Sequence, residues 1–73
     1  MKLMVREGCH LCDMALDLIQ QVKPGLKITI CDIDSDITLY ELYDIRVPVL
    51  VKPENQELGW PFDSNTLADF LTT

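Results

Sequence analysis

Apolar and polar positions change period several times along the chain, and each change marks an element. Lys2 to Val5 is a short apolar run that reads as a strand. Leu11, Ala15, Leu18, Ile19 and Val22 then recur at helical spacing, with Asp13, Asp17 and Gln21 elsewhere on the wheel. That spacing predicts an amphipathic helix of roughly 12 residues, closed by Pro24-Gly25. Leu26 to Ile33, LKITICDI, is β-branched and alternating enough for a second strand. Asp34 or Ser35 caps a second helix with Leu39, Leu42 and Tyr43 on one side. Val47 to Val51 forms a third strand, and Gln56 to Gly59 a short fourth beyond the Pro53–Asn55 turn. Asp63 or Ser64 caps a last helix with Leu67, Phe70 and Leu71 inward.

The resulting order is β-α-β-α-β-β-α. Two strands joined by a helix make a right-handed parallel unit, and the third and fourth strands are close enough to pair as a hairpin. The expected architecture is α/β, a four-stranded mixed sheet with helices on both faces. No linker, repeat or low-complexity stretch divides the 73 residues, so residues 1–73 read as a single domain.

Composition narrows the function classes. A hydrophobic fraction of 48% supports a core despite the small size. Twelve acidic against six basic side chains leave a net charge of -6. That balance argues against nucleic acid and against anionic membranes, both of which favour a basic face. A small molecule or a protein remains as partner. The opening MKLMVREG holds too short an apolar run for a signal peptide or membrane span, so a cytoplasmic protein is expected. In that compartment close cysteines suggest redox or metal chemistry before a structural staple, and three cysteines fit no secreted framework.

The chemistry concentrates in EGCHLCDM, residues 7–14, where Cys9 and Cys12 stand three apart. Cys9 falls at the start of the first helix, where unpaired N–H groups and the positive dipole end favour a thiolate. Arg6 and a protonated His10 would add to that effect. Cys12 lies one turn on, on the same side, within disulfide reach. Three chemistries compete for the pair. Zinc needs four ligands, and only Cys31 and a badly placed His10 remain to supply them. A structural disulfide suits a cytosolic chain poorly. C-x-x-C after a strand and opening a helix within a βαβ pattern favours redox exchange, with an exposed attacking thiol and a sheltered resolving one.

Other polar features carry less. Cys31 within LKITICDI reads as a small core residue. Asp32, Asp34 and Asp36 alternate as in a calcium loop, but Ile37 and Tyr43 replace its glycine and terminal glutamate. They read as a strand end and a helix cap. In IRVPVL, Pro48 is either a proline at a strand's first residue or the second residue of a cis Val47–Pro48 peptide. The cis form would leave Val47 backbone groups free to pair with an extended substrate.

C-x-x-C opening the first helix, V-P some 36 residues later and this element order together resemble glutaredoxins of the thioredoxin superfamily, over essentially the whole chain. Val47–Leu50 and Trp60–Phe62 are similar to the V-P-V-L and W-P-F segments of short glutaredoxin-like proteins. The resemblance implies a minimal thioredoxin-like fold and a dithiol oxidoreductase. Cys9 would be the nucleophile, Cys12 the resolving thiol, and a cis Pro48 would face them. It further implies glutathione as a co-substrate, met by Arg6 and by the backbone of Val47, with no bound cofactor and no metal. Departures from the family pattern bear on glutathione. Gly59 alone remains of a usual Gly-Gly pair, and Trp60 and Pro61 put bulk where the γ-glutamyl end would lie. His10 and Leu11 replace the usual proline and tyrosine between the cysteines.

The sequence thus predicts a monomeric thiol–disulfide oxidoreductase. Its partners would be disulfide-bearing proteins or glutathione mixed disulfides, together with a cellular reductase. Cys9 and Cys12 are its catalytic residues, and Arg6, His10, Val47, Pro48, Gly59 and Trp60 its substrate-binding ones. The alternatives are a redox-inactive interaction module using the Trp60–Pro48 surface, and an iron–sulfur carrier with a cluster shared between two chains.

Overall fold

Four short strands order as β2-β1-β3-β4 in the computed structural model, which describes residues 1–72. The chain runs β1 (Lys2–Val5), α1 (His10–Val22), β2 (Thr29–Asp32), a 3-10 turn (Ile33–Ser35), α2 (Ile37–Tyr43), β3 (Val49–Val51), β4 (Glu57–Gly59) and α3 (Ser64–Thr72). β1 pairs parallel with β2 and antiparallel with β3, and β3 pairs antiparallel with β4. The predicted mixed α/β architecture is the observed one.

Strand alternation divides the core between the two faces of the sheet. Leu3, Leu50 and Leu58 lie in register and face α1 and α3, where they meet Ala15, Ile19, Phe62 and Leu67. Met4, Val49 and Val51 point the other way, against Ile33, Leu39 and Tyr43 beneath α2. Leu3, Leu50 and Leu67 are fully buried, and each contributes about 1.5–3 kcal/mol by leaving water.

β1 and α1 begin as the hydropathy pattern predicts, whereas several other boundaries move. β2 starts at Thr29, not Leu26, because its only partner starts at Lys2; Leu26 and Ile28 pack sideways on the α1–α3 side instead. Ile33 leaves the strand and heads the 3-10 turn. Asp34 and Ser35 are used within that turn, so Asp36 caps α2, its carboxylate accepting from the Thr38 N–H at 2.8 Å. β3 begins at Val49, after Pro48, which has no N–H to give the ladder. β4 begins at Glu57. Leu11 and Leu42 are 45% and 54% exposed, contrary to their predicted inward places. Cys12, Ala15 and Ile19 form the buried stripe of α1, and Leu39 and Tyr43 supply that of α2.

Candidate functional site

The Glu7-Gly8 turn carries the chain from β1 into α1, with Gly8 at φ +75° and the Cys9 N–H donating to the Arg6 carbonyl at 3.3 Å. The positive φ is one that glycine adopts without strain. This turn leaves Cys9 as the N-cap of α1, in extended backbone conformation. Its sulfur takes the position usually held by a serine or aspartate oxygen and accepts from the Cys12 N–H at 3.1 Å. Cys9 is half-buried and Cys12 is 5% exposed. The two sulfurs are joined in a disulfide, with Cα atoms 5.2 Å apart. Cys31 stays a free thiol, packed against the cluster beneath α2.

A pocket of about 300 Å³ opens beside the disulfide, walled by Leu3, Val5, Leu16 and Ile30 together with Gly8, Cys9 and Cys12. Arg6, Glu7 and Asp13 complete its lining. Of the predicted binding residues, only Arg6 borders this pocket. Its guanidinium bonds Asp34 at 3.4 Å and Asp44 at 3.2 Å and lies 5.4 Å from the Tyr40 ring centre. The hydrogen bond and charge of Asp34 hold the Arg6 pKa above its ordinary value. His10 is exposed on the first turn of α1, and its ring makes no hydrogen bond or ion pair among the described residues.

The remaining predicted residues gather at the neighbouring end of β3 and β4. The Val47–Pro48 peptide is cis, the form the sequence offered as one of two readings, and Trp60–Pro61 is cis as well. Pro48 is fully buried. Its carbonyl accepts from the Trp60 N–H at 3.1 Å, extending the β3–β4 ladder by one step. No hydrogen bond engages the backbone N–H or C=O of Val47 among the described residues. Gly59 is exposed, while Trp60 is half-buried, edge-on to Phe62 with ring centres 5.1 Å apart.

A second group fixes the loop that leads to Pro48. The Tyr43 hydroxyl donates to the Glu57 carboxylate at 2.7 Å, and Arg46 pairs with the same carboxylate while lying over the Tyr43 ring. These bonds, from Tyr43 first and Arg46 second, hold the Glu57 pKa below the usual carboxylate range. Burial, then the bond to Glu57, pushes the Tyr43 phenol up. The α2–β3 connection is therefore tied at Asp44 by Arg6 and at Arg46 by Glu57, and Ile45 projects between them at 92% exposure.

The family of the glutaredoxin-like domain (DUF836) matches residues 1–72. The chain belongs to the glutaredoxin-like family. This glutaredoxin-like domain is also similar to a crystal structure of target protein XcR50 from X. campestris. They are 41% identical, with a TM-score of 0.89 over 97% of this chain and 93% of that one. The solution structure of the same target is similar at 40% identity and a TM-score of 0.81, covering 97% and 90% of the two chains. No functionally curated protein matches the chain.

The sequence of this glutaredoxin-like domain shows the Cys9–Cys12 pair and the Val47–Pro48 step directly. It does not show the partners of Arg6, because Asp34 and Asp44 come near it only through the fold. Nor does it show Leu16 and Ile30 as pocket walls. For Ile30 a signal existed: it alternates with Cys31 in β2, and one of the two had to face α1.

Proposed function

We propose that this domain is a dithiol thiol–disulfide oxidoreductase with Cys9 as nucleophile and Cys12 as resolving thiol. The single observation that carries the reading is Cys9 as the N-cap of α1, its sulfur accepting the Cys12 N–H at 3.1 Å. A helix N-terminus favours negative charge, so this hydrogen bond and the dipole favour the Cys9 thiolate in the reduced form. Unequal exposure supports unequal roles, since Cys12 is buried and Cys9 only half so.

In the proposed cycle the Cys9 thiolate attacks one sulfur of a substrate disulfide. That bond breaks, the distal sulfur leaves as a thiolate, and a mixed disulfide forms on Cys9. Cys12 then gives its proton to solvent and attacks the Cys9 sulfur, which closes the Cys9–Cys12 disulfide and frees the second substrate thiolate. Two electrons pass from protein to substrate, and a thiol reductant or a cellular reductase returns them. The unengaged Val47 backbone beside Pro48 supports an extended substrate paired like an added strand. A reducing compartment such as the cytoplasm suits the cycle. Glutathione is the co-substrate least supported, because Arg6 is already shared by two carboxylates.

Titration in glutathione redox buffers, with alkylation of free thiols, tests the reading. A two-electron couple is expected in the wild type and is lost in Cys9→Ser and in Cys12→Ser. Cysteines that stay reduced across the whole range would leave an interaction module, and visible absorbance after oxygen-free purification would point to an iron–sulfur carrier.

A further inference from the structure

We infer that the groove between α1 and the edge strand β2 binds an extended segment of a polypeptide substrate, one with an apolar residue and a basic residue next to its reactive cysteine. The inference rests on the oxidoreductase reading for its chemistry and on three separate observations for its place.

The first observation is position. The pocket of about 300 Å³ has Cys9 and Cys12 in its wall, so a substrate sulfur brought to Cys9 delivers its neighbours to this opening. Its remaining wall is mostly aliphatic, from Leu3, Val5, Leu16 and Ile30, and an aliphatic wall suits an apolar side chain.

The second is continuity. Leu16 and Ile30 also wall a further hollow of about 230 Å³, lined by Ile19, Leu26 and Ile28 and, at its far end from the cysteines, by Gln20 and Lys23 of the α1 C-terminus. The two hollows meet at Leu16 and Ile30, and Ile30 belongs to β2, the outermost strand, which among the described residues pairs only with β1. An unpaired strand edge accepts an added strand. Ile30 is 51% exposed at the junction, an apolar side chain that no neighbour in the fold covers fully.

The third is charge. Glu7 and Asp13 line the first hollow, and the one cation there, Arg6, is bonded to Asp34 and Asp44. One positive group thus stands among four carboxylates. Such a rim attracts a basic residue and repels an anionic tripeptide. It therefore turns specificity away from glutathione and toward cationic segments of proteins.

The test uses the full chain and peptides of one length, each with a cysteine flanked by Leu-Lys, Ser-Lys or Leu-Glu. Each peptide is prepared as a disulfide for turnover and with serine in place of cysteine for binding. Wild-type protein is expected to show kcat/KM about tenfold higher for Leu-Lys than for Ser-Lys, the usual scale for one apolar group in a pocket. Added salt should erase the Lys-over-Glu preference and spare the Leu-over-Ser one. In NMR titrations the serine-substituted Leu-Lys peptide should shift the amides of Leu16 and Ile30, and Ile30→Glu should abolish those shifts and the Leu preference, with Ile30→Val restoring both. Equal rates for all peptides, or shifts confined to Val47–Pro48 and Trp60, would overturn the groove while leaving the redox reading intact. Binding in the groove with no turnover of any disulfide would overturn the redox reading instead, and loss of both would end both.

Discussion

Arg6 stands where the family resemblance wants a glutathione ligand, yet the fold gives its guanidinium to Asp34 and Asp44. All three side chains are more than a third exposed, so water and salt weaken the pairing. Asp44→Asn should release part of the Arg6 charge and lower KM for a glutathione mixed disulfide by about threefold. An unchanged KM, measured against a neutral disulfide as control, would show that Arg6 does not face that substrate. Glu57 makes a different single-residue claim. Its carboxyl titrates below the ordinary range because Tyr43 and Arg46 bond it, so its contribution to stability is complete above the unfolded carboxylate pKa. That contribution fades as pH falls through the lower folded value. Tyr43 behaves in the opposite sense: its raised phenol contributes fully below the ordinary value near about 10 and is lost as pH climbs through the folded one. Melting temperature against pH should therefore fall at both ends, and Glu57→Gln should flatten the acid limb. An acid limb identical to wild type would remove Glu57 from the account.

At the scale of elements, α3 is held chiefly by Leu67, fully buried against the α1 side of the sheet. Leu67→Ala should cost about 2–5 kcal/mol. For a domain of this size that lowers the melting temperature by roughly 10 °C or more. A loss of only a degree or two would mean that Phe62 and Phe70 hold the helix without it. Elements of this kind were legible in the sequence because an apolar stripe of period 3.6 is a local signal. The inward residues of α3 read correctly for that reason, and so did α1 apart from Leu11, which is exposed while Cys12 takes the buried place. Strand ends did not, since a strand's length depends on its partner: LKITICDI has eight strand-like residues, but β1 offers only four positions to pair. The cap of α2 was misplaced because three aspartates in DIDSD are equally good caps, and only the 3-10 turn decides among them. The site divides in the same way. Cys9, Cys12 and the cis Val47–Pro48 peptide are local signals, whereas the Arg6 bridge and the Tyr43–Glu57–Arg46 group join residues far apart in sequence.

For the molecule as a whole, the proposed redox reaction and folding are two sides of one thermodynamic cycle. The difference in stability between the disulfide and dithiol forms equals the difference in reduction free energy between folded and unfolded chain. The Cys9–Cys12 link closes a very short loop, so its entropic benefit is small, about 2 kcal/mol. Against it stands the reduced form, in which the proposed Cys9 thiolate would lie at the N-terminus of α1. A thiol whose folded pKa is depressed adds stability above the unfolded value near about 8.5 and loses it as pH falls through the folded value. Contributions from Glu57 and Tyr43 are common to both forms and cancel. The disulfide form should then lead in melting temperature most at acid pH, and the lead should shrink as pH rises toward the free-thiol range at ~8. Cys9→Ser, compared with Cys12→Ser under the same reducing conditions, separates the two sulfurs: only the variant that keeps Cys9 should gain stability with rising pH. A lead that stays constant over this range would mean that the helix start does not activate Cys9, and the pair would then be no more reactive than ordinary thiols.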